Sequence, residues 1–340
     1  MGSSDYVAVL HAALNKRDFA EALRTLERAG VGREQVVAHR DRKGWKRPSV
    51  LTVVLGGLPE EKRPWPEEWE ALARRVLELV TPADLLTRKN RIATATTALD
   101  EEFVTAMVEK CMGEPEFTEE ARLKVLEGVV LNPWPALAAM LVDGLDPSLF
   151  CRRRFLRVAI EQGRTAVFMV LADALSDDQL LHCRGKDTLL HTACAKHAWE
   201  IVEVLLNRTP EALTIAGRGG EGAIHQPYRE PPLDLWRRIV EGTPEELLLH
   251  KDKETKRTIL HRTVHMFKTE HLEVLIVYFP HSGRKLRCKT GETALQLAQK
   301  KAEGKLKVRT VRNRDDVVVD GLAMVEILGV GAMTKAAGVR

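Results

Sequence analysis

The chain has 340 residues, of which 29% are charged, 44% hydrophobic and only 5% aromatic, and its formal net charge is +4. That length argues against one compact core, since such cores stop growing at around 250–300 residues, and the scarcity of aromatics suits thin core layers of Leu, Val and Ala. No apolar run approaches the ~20 residues a membrane-spanning helix needs. The five scattered cysteines, Cys111, Cys151, Cys183, Cys194 and Cys288, suit buried thiols in a reducing compartment better than a disulfide framework.

The first thirty residues, MGSSDYVAVLHAALNKRDFAEALRTLERAG, lack a signal-peptide core and carry Asp5, Asp18 and Glu21. This argues against a secretory or transit leader, so the expected compartment is the cytoplasm, with the nucleus as the alternative. Through residue 150, helical hairpins are expected from spacing alone, in a weak register at His11, Thr52, Ala93 and Lys124. Pro59–Glu68 is expected to be an exposed, proline-stiffened insertion, with Trp65 and Trp69 either anchoring a partner or packing back onto the helices. Thr81-Pro82-Ala83-Asp84-Leu85 is a helix-start signature: a capping residue, a proline and an acid.

From Phe155 the pattern sharpens. FLRVAIEQGRTAVFMVL, residues 155–171, carries two apolar stripes joined at Gly163, where a left-handed helix end suits glycine. TLLHTACAKHAWEIVEVLL, residues 188–206, is the clearest block. Thr188 is a good N-cap, and Leu190, Ala193 and Cys194 share one helical face. The chain turns at Lys196–Ala198, and Ile201, Val202, Leu205 and Leu206 form a second stripe. Helices this short need neighbours to pack against. The pattern returns at Thr258–Ile276 and at Thr293–Ala298. Equivalent positions are Arg157, His191, His225, His261 and Gln296, at steps of 34, 34, 36 and 35 residues. A second register, Thr209-Pro210-Glu211 and Thr243-Pro244-Glu245, is also 34 residues apart, and Asp146-Pro147 and Ser176-Asp177 are looser relatives. The unit at His225 has Pro227, Pro231 and Pro232 where its first helix should run, so that helix is expected to be short or broken. Lys300–Arg314 is expected to be a solvated basic loop, followed by a closing apolar stripe at Val317–Leu328.

A helix–turn–helix unit of about 33 residues with a T-P-L-H-like start resembles the ankyrin-repeat family. Thr188-Leu189-Leu190-His191, Thr258-Ile259-Leu260-His261 and Gly291-Glu292-Thr293-Ala294-Leu295 carry the resemblance. The proline usual after the threonine is absent from all three, and a repeat-start glycine survives clearly only at Gly291. The match is good over about 155–300 and poor over 1–150. It implies an all-α solenoid of about nine degenerate repeats spanning 1–340 as one domain, with degenerate repeats over 1–150, clearer ones over 151–300, and a basic insertion and C-terminal capping helix over 301–340. It also implies that the motif histidine ties its own loop to the next by hydrogen bonds. Binding in such proteins uses the loop tips and the adjacent inner-helix face.

The arrangements that might carry chemistry are weak. His261 and His265 have metal-ligand spacing, but the glutamate of H-E-x-x-H and a third ligand are missing. Cys194 beside His191 and His197 falls at an inter-helix position, where a thiol behaves as a small hydrophobe. Gly217–Gly222 lacks the preceding strand and the Gly-Lys-Ser/Thr of a phosphate loop, and a flexible loop tip explains it better. No catalytic residue, metal or cofactor is therefore assigned.

Charge is more telling. The loops expected before each first helix hold 22 Lys/Arg and 9 Asp/Glu, whereas the rest of the chain holds 30 and 39. Met112–Ala121, with four glutamates and no base, is the exception. The candidate binding residues are Arg40, Arg42, Lys43, Trp45, Lys46, Arg47, Arg88, Lys89, Arg91, Arg152, Arg153, Arg154, Arg184, Lys186, Lys251, Lys253, Lys256, Arg257, Arg284, Lys285 and Arg287. A row of like charge raises association rates with an acidic surface and is weakened by salt. The expected function is a non-enzymatic scaffold or adaptor subunit, a monomer within a larger complex, with an acidic protein as partner and no membrane. The alternative is an RNA- or nucleic-acid-associated subunit of a ribonucleoprotein assembly.

Overall fold

Three- and four-residue apolar spacing dictates helices, and the regular elements are helical, with no strand among the described residues. The computed structural model describes residues 3–28, 36, 50–55, 66–86, 91–96, 99–152, 154–183, 187–227, 229–305 and 321–329. No helix among them is long and apolar enough to cross a membrane. The chain divides into two compact units, Met1–Asp146 and Pro147–Arg340.

The first unit contains α1 (Ser3–Lys16), α2 (Phe19–Arg28), α3 (Val50–Leu55), α4 (Glu67–Leu79), α5 (Pro82–Leu85), α6 (Arg91–Ala95), α7 (Glu101–Cys111), α8 (Glu119–Val129) and α9 (Pro135–Val142). Helix α1 packs on α2, α2 on α4, α6 on α7 and α8, and α8 on α9. The start signature at Thr81 makes the short helix α5: the Thr81 amide and hydroxyl both donate to Asp84 Oδ2, each at 2.8 Å. Trp69 is 2% exposed and meets Phe103 edge-on at 5.7 Å, so it is a core residue. Trp65 lies outside the described residues. Basic side chains close helix ends. Lys110 Nζ donates to Leu77 O (2.6 Å) at the end of α4, and Arg122 Nε donates to Leu141 O (3.0 Å) at the end of α9.

The second unit begins with α10 (Pro147–Arg152), α11 (Phe155–Glu161), α12 (Thr165–Asp173), α13 (Asp177–Leu181), α14 (Leu189–Lys196) and α15 (Trp199–Arg208). It continues with α16 (Leu233–Gly242), α17 (Glu245–Leu248), α18 (Ile259–Met266), α19 (Thr269–Tyr278), α20 (Ala294–Ala302) and α21 (321–329). Tight 3₁₀ turns occupy Pro210–Thr214, Ala223–His225 and His281–Lys285. The pairs α11/α12, α14/α15 and α18/α19 are the expected hairpins, with Gly163 (φ 66°) and His197 (φ 57°) at two of the turns. First helices meet first helices (α11 on α14, α14 on Ala223–His225, α18 on α20), while α12, α15, α16 and α19 adjoin in series. The proline-rich unit has only the three-residue turn Ala223–His225 in place of a first helix, as the prolines require. Its extended stretch is held by His271 Nε2, which donates to Pro231 O (2.8 Å). Trp236 lies beneath, fully buried, with its indole N–H on His271 O (2.8 Å).

One end of this unit differs from expectation. Lys301, placed by sequence in a solvated run, is 1% exposed. Its ammonium donates to Val264 O (3.1 Å) and Phe267 O (3.2 Å) and touches Met324 Sδ (3.6 Å). Burying a lysine is expensive unless it is bonded; here the free carbonyls at the end of α18 supply the partners. Residues 306–314 of the run lie outside the described residues. The closing stripe is helical at 321–329, with Met324 and Leu328 buried. A Cβ at Gly321 would lie 2.3 Å from the Ala302 nitrogen, so only glycine lets α21 approach the end of α20.

Candidate functional site

Two equivalent clamps order the loops of the second unit. Thr188 caps α14, its Oγ1 accepting from the His191 amide (3.4 Å) and contacting His191 Nδ1 (2.8 Å). The other ring nitrogen, Nε2, lies 3.2 Å from Glu221 O. A carbonyl only accepts, so Nε2 carries the proton and Nδ1 accepts from the threonine hydroxyl. Thr258, His261 and Glu292 O repeat this at 2.8 and 3.2 Å. Burial lowers the pKa of both histidines, which keeps the rings neutral as the tautomer demands. The same two carbonyls close the loop tips: Gly217 N donates to Glu221 O (2.8 Å) and Cys288 N to Glu292 O (2.9 Å).

Successive loops are also bonded to one another. Arg218 N donates to Asp187 Oδ1 (2.7 Å), Lys289 N to Thr255 O (2.7 Å) and Lys251 Nζ to Arg287 O (3.2 Å). A Cβ on Gly220 would stand 3.2 Å from the His250 ring, which brings the 217–222 loop to the start of the next. The glycine stretch expected as a flexible tip is thus tied at its base and along its side.

Acidic and basic side chains play different parts in this row. Asp252 accepts from the amides of Glu254 (3.0 Å), Thr255 (2.6 Å) and Arg257 (3.1 Å) and from the Thr255 hydroxyl. Burial pushes its pKa up, but these bonds outweigh burial and hold it below the usual value. Glu292 accepts from Thr290 Oγ1 (2.6 Å) and pairs with Lys300; Glu221 accepts from Gln226 Nε2 (3.1 Å). Arg218, Lys253, Lys256, Lys285, Arg287 and Lys289 are exposed. Most of the acids are engaged in building the loops, whereas Arg218, Lys253, Lys256, Lys285 and Lys289 face outward; Lys251 and the exposed Arg287 also brace the loops, Lys251 through Arg287 O and Arg287 Nη1 through Gly291 O (2.5 Å), and Glu254 is the exposed acid among them.

The structure brings together Lys251, Lys253, Lys256, Arg257 and Arg287 of the predicted residues with Lys289 of the same basic loop, and the approach of Gly220 to His250 places the loop of Arg218 beside them. Lys285 and Arg284 sit in the 3₁₀ turn before the loop. Arg284 points inward, donating to Ile276 O (2.9 Å), and burial lowers its pKa, so it belongs to the frame and not to the surface. Arg152 ends α10, Arg91 begins α6, and the exposed Arg154 immediately precedes α11 in a left-handed conformation (φ 65°). Arg40, Arg42, Lys43, Trp45, Lys46, Arg47, Arg88, Lys89, Arg153, Arg184 and Lys186 lie outside the described residues.

Elsewhere the geometry offers little chemistry. Cys194 is fully buried, and burial pushes its pKa up to about 12, far from a nucleophile. Both ring nitrogens of His261 are occupied by its clamp. Among the described residues no three His, Cys, Asp or Glu side chains cluster as a metal site would require. An open groove of about 350 Å³ between α4 and α7 is rimmed by charges already engaged: Arg74 pairs with Glu102 (2.7 Å) and lies over the Phe103 ring, and Lys110 closes α4. Comparison with protein-family models and with curated proteins finds no match for this chain.

Proposed function

We propose that this chain is a non-catalytic interaction subunit. In this reading its second unit is a stack of ankyrin-type helix pairs that presents the basic loops 217–222, 251–257 and 285–289 to an acidic protein surface. The observation that carries the proposal is the uneven use of charge in the loops, where most of the acids are bonded internally and Arg218, Lys253, Lys256, Lys285 and Lys289 stand exposed on a braced backbone. A braced surface loses little entropy on docking, and its one-sided charge steers an acidic partner. The recurrence of bonds between residues 30–36 apart, such as His191 to Glu221, Trp236 to His271 and Lys251 to Arg287, supports the stacked-repeat reading. RNA is the second reading, because exposed Lys and Arg suit phosphates as well as carboxylates.

The test is quantitative affinity purification of the full chain beside a variant carrying Lys253→Glu, Lys256→Glu, Arg287→Glu and Lys289→Glu. Partners lost with the variant and retained after ribonuclease treatment support the protein reading; partners lost on ribonuclease treatment support RNA. An unchanged partner set rejects the loops as the docking surface.

A further inference from the structure

Two thiols meet in the second unit. All five cysteines lie among the described residues, and Cys183 Sγ stands 3.1 Å from Cys151 Sγ. Cys151 is near the end of α10, Cys183 follows α13, and these two helices pack together. Cys151 Sγ in turn faces Gln179 O (3.9 Å). The other thiols are placed differently: Cys111 and Cys194 are fully buried, and Cys288 is buried against Thr290 Oγ1 (3.0 Å). Cys151 is the half-exposed one.

A disulfide needs its sulfurs about 2.05 Å apart. From 3.1 Å, closure asks for about 1 Å of approach. The Cys151 contact and burial push the Cys183 pKa up against the opposing pull of Arg157, so Cys183 stays a protonated thiol in the resting pair. Solvent reaches Cys151 first, and its exposure together with a second thiol at 3.1 Å favours a disulfide there; burial raises the Cys288 pKa and its bonds with Thr290 and Glu292 outweigh that, but Cys288 is buried.

We propose that Cys151 and Cys183 form a redox modification site, converted by a peroxide to an intramolecular disulfide and returned to thiols by a dithiol reductant. Cys151 gives its proton to water, and its sulfur attacks one peroxide oxygen. The O–O bond breaks, leaving a sulfenic acid and one water. Cys183 sulfur then attacks Cys151 sulfur, the S–O bond breaks, and the departing hydroxide takes up the thiol proton as a second water. Two thiols lose two electrons and two protons, and the peroxide becomes two waters. The bond joins residues 32 apart and ties together the segments leading into Arg152–Arg154 and Arg184–Lys186.

The test treats the full-length protein with one equivalent of hydrogen peroxide, alkylates the remaining thiols after denaturation and maps peptides by mass. The expected product is a Cys151–Cys183 cross-linked peptide, lighter by two hydrogens and restored by dithiothreitol, with Cys111, Cys194 and Cys288 recovered alkylated. In Cys183→Ser the sulfenic acid should persist on Cys151 and be trapped by dimedone. Oxidation of another cysteine first, a Cys151 sulfinic acid without cross-link, or all five thiols unchanged would each overturn the proposal. The wild-type mapping decides it even where a substitution disturbs folding.

Discussion

His191 and His261 each spend one ring nitrogen on their own threonine and the other on a carbonyl about thirty residues ahead. His191→Ala or His261→Ala removes both bonds and leaves a carbonyl short of a donor, which costs about 1–3 kcal/mol. Urea denaturation measures it. His225 occupies the same register but has a different role. It is buried, and the Gly222 and His250 carbonyls lie near its ring without hydrogen-bond geometry. His225→Leu should therefore cost less than either clamp variant. Burial, then Arg262 and His250, push the His225 pKa down to about 3. Unfolded, its ring titrates near 6.5, so the unfolded chain takes up protons first as pH falls. Stability is full above about pH 7 and is lost as pH falls from 6.5 toward 3, by about 2 kcal/mol at pH 5 from this histidine alone. Denaturation midpoints at pH 7.5 and 5 should differ in the wild type, and by less in His225→Leu.

At the scale of elements, helix ends are closed by cations from other segments of the chain. Arg208 donates to Ala172 O (2.8 Å) in the last turn of α12 and to Leu175 O (2.7 Å) just beyond it, while its Nε meets Asp177 (2.7 Å). Lys301 does the same for α18. Lys301→Ala leaves two carbonyls unpaired and a void against Met324, a loss of about 3 kcal/mol. Thermal denaturation should show it, and amide exchange should quicken in α18 and α20. The sequence made the helices legible where a local rule applied: Thr188 as a cap, Gly163 at a left-handed turn, prolines that forbid a first helix. It left Lys301 and Arg284 in solvated stretches, because their partners are carbonyls that only the packed chain brings near. Trp69 has two readings in the sequence for the same reason. Cys151 and Cys183 looked scattered, since a contact across 32 residues has no local signature.

At the scale of the whole molecule, a net charge of +4 conceals an uneven distribution of charge along the sequence. The sequence located the basic loops, but not which charges are free to act: the bonding of Asp252 and Glu292 emerges only from the fold. Replacing Lys253, Lys256 and Lys289 by Glu should change stability by no more than about 0.5 kcal/mol per site, as expected of exposed side chains, and Arg287→Glu by about 1 kcal/mol, because it gives up the bond from Arg287 Nη1 to Gly291 O. Its effect should fall on association instead. The most direct measurement is the salt dependence of binding between the full chain and the partner recovered by purification, for the wild type and this variant. Wild-type affinity is expected to fall steeply with salt and the variant to bind weakly with a shallow slope, the two converging at high ionic strength. Equal affinities and equal slopes would contradict a docking surface made by the basic loops.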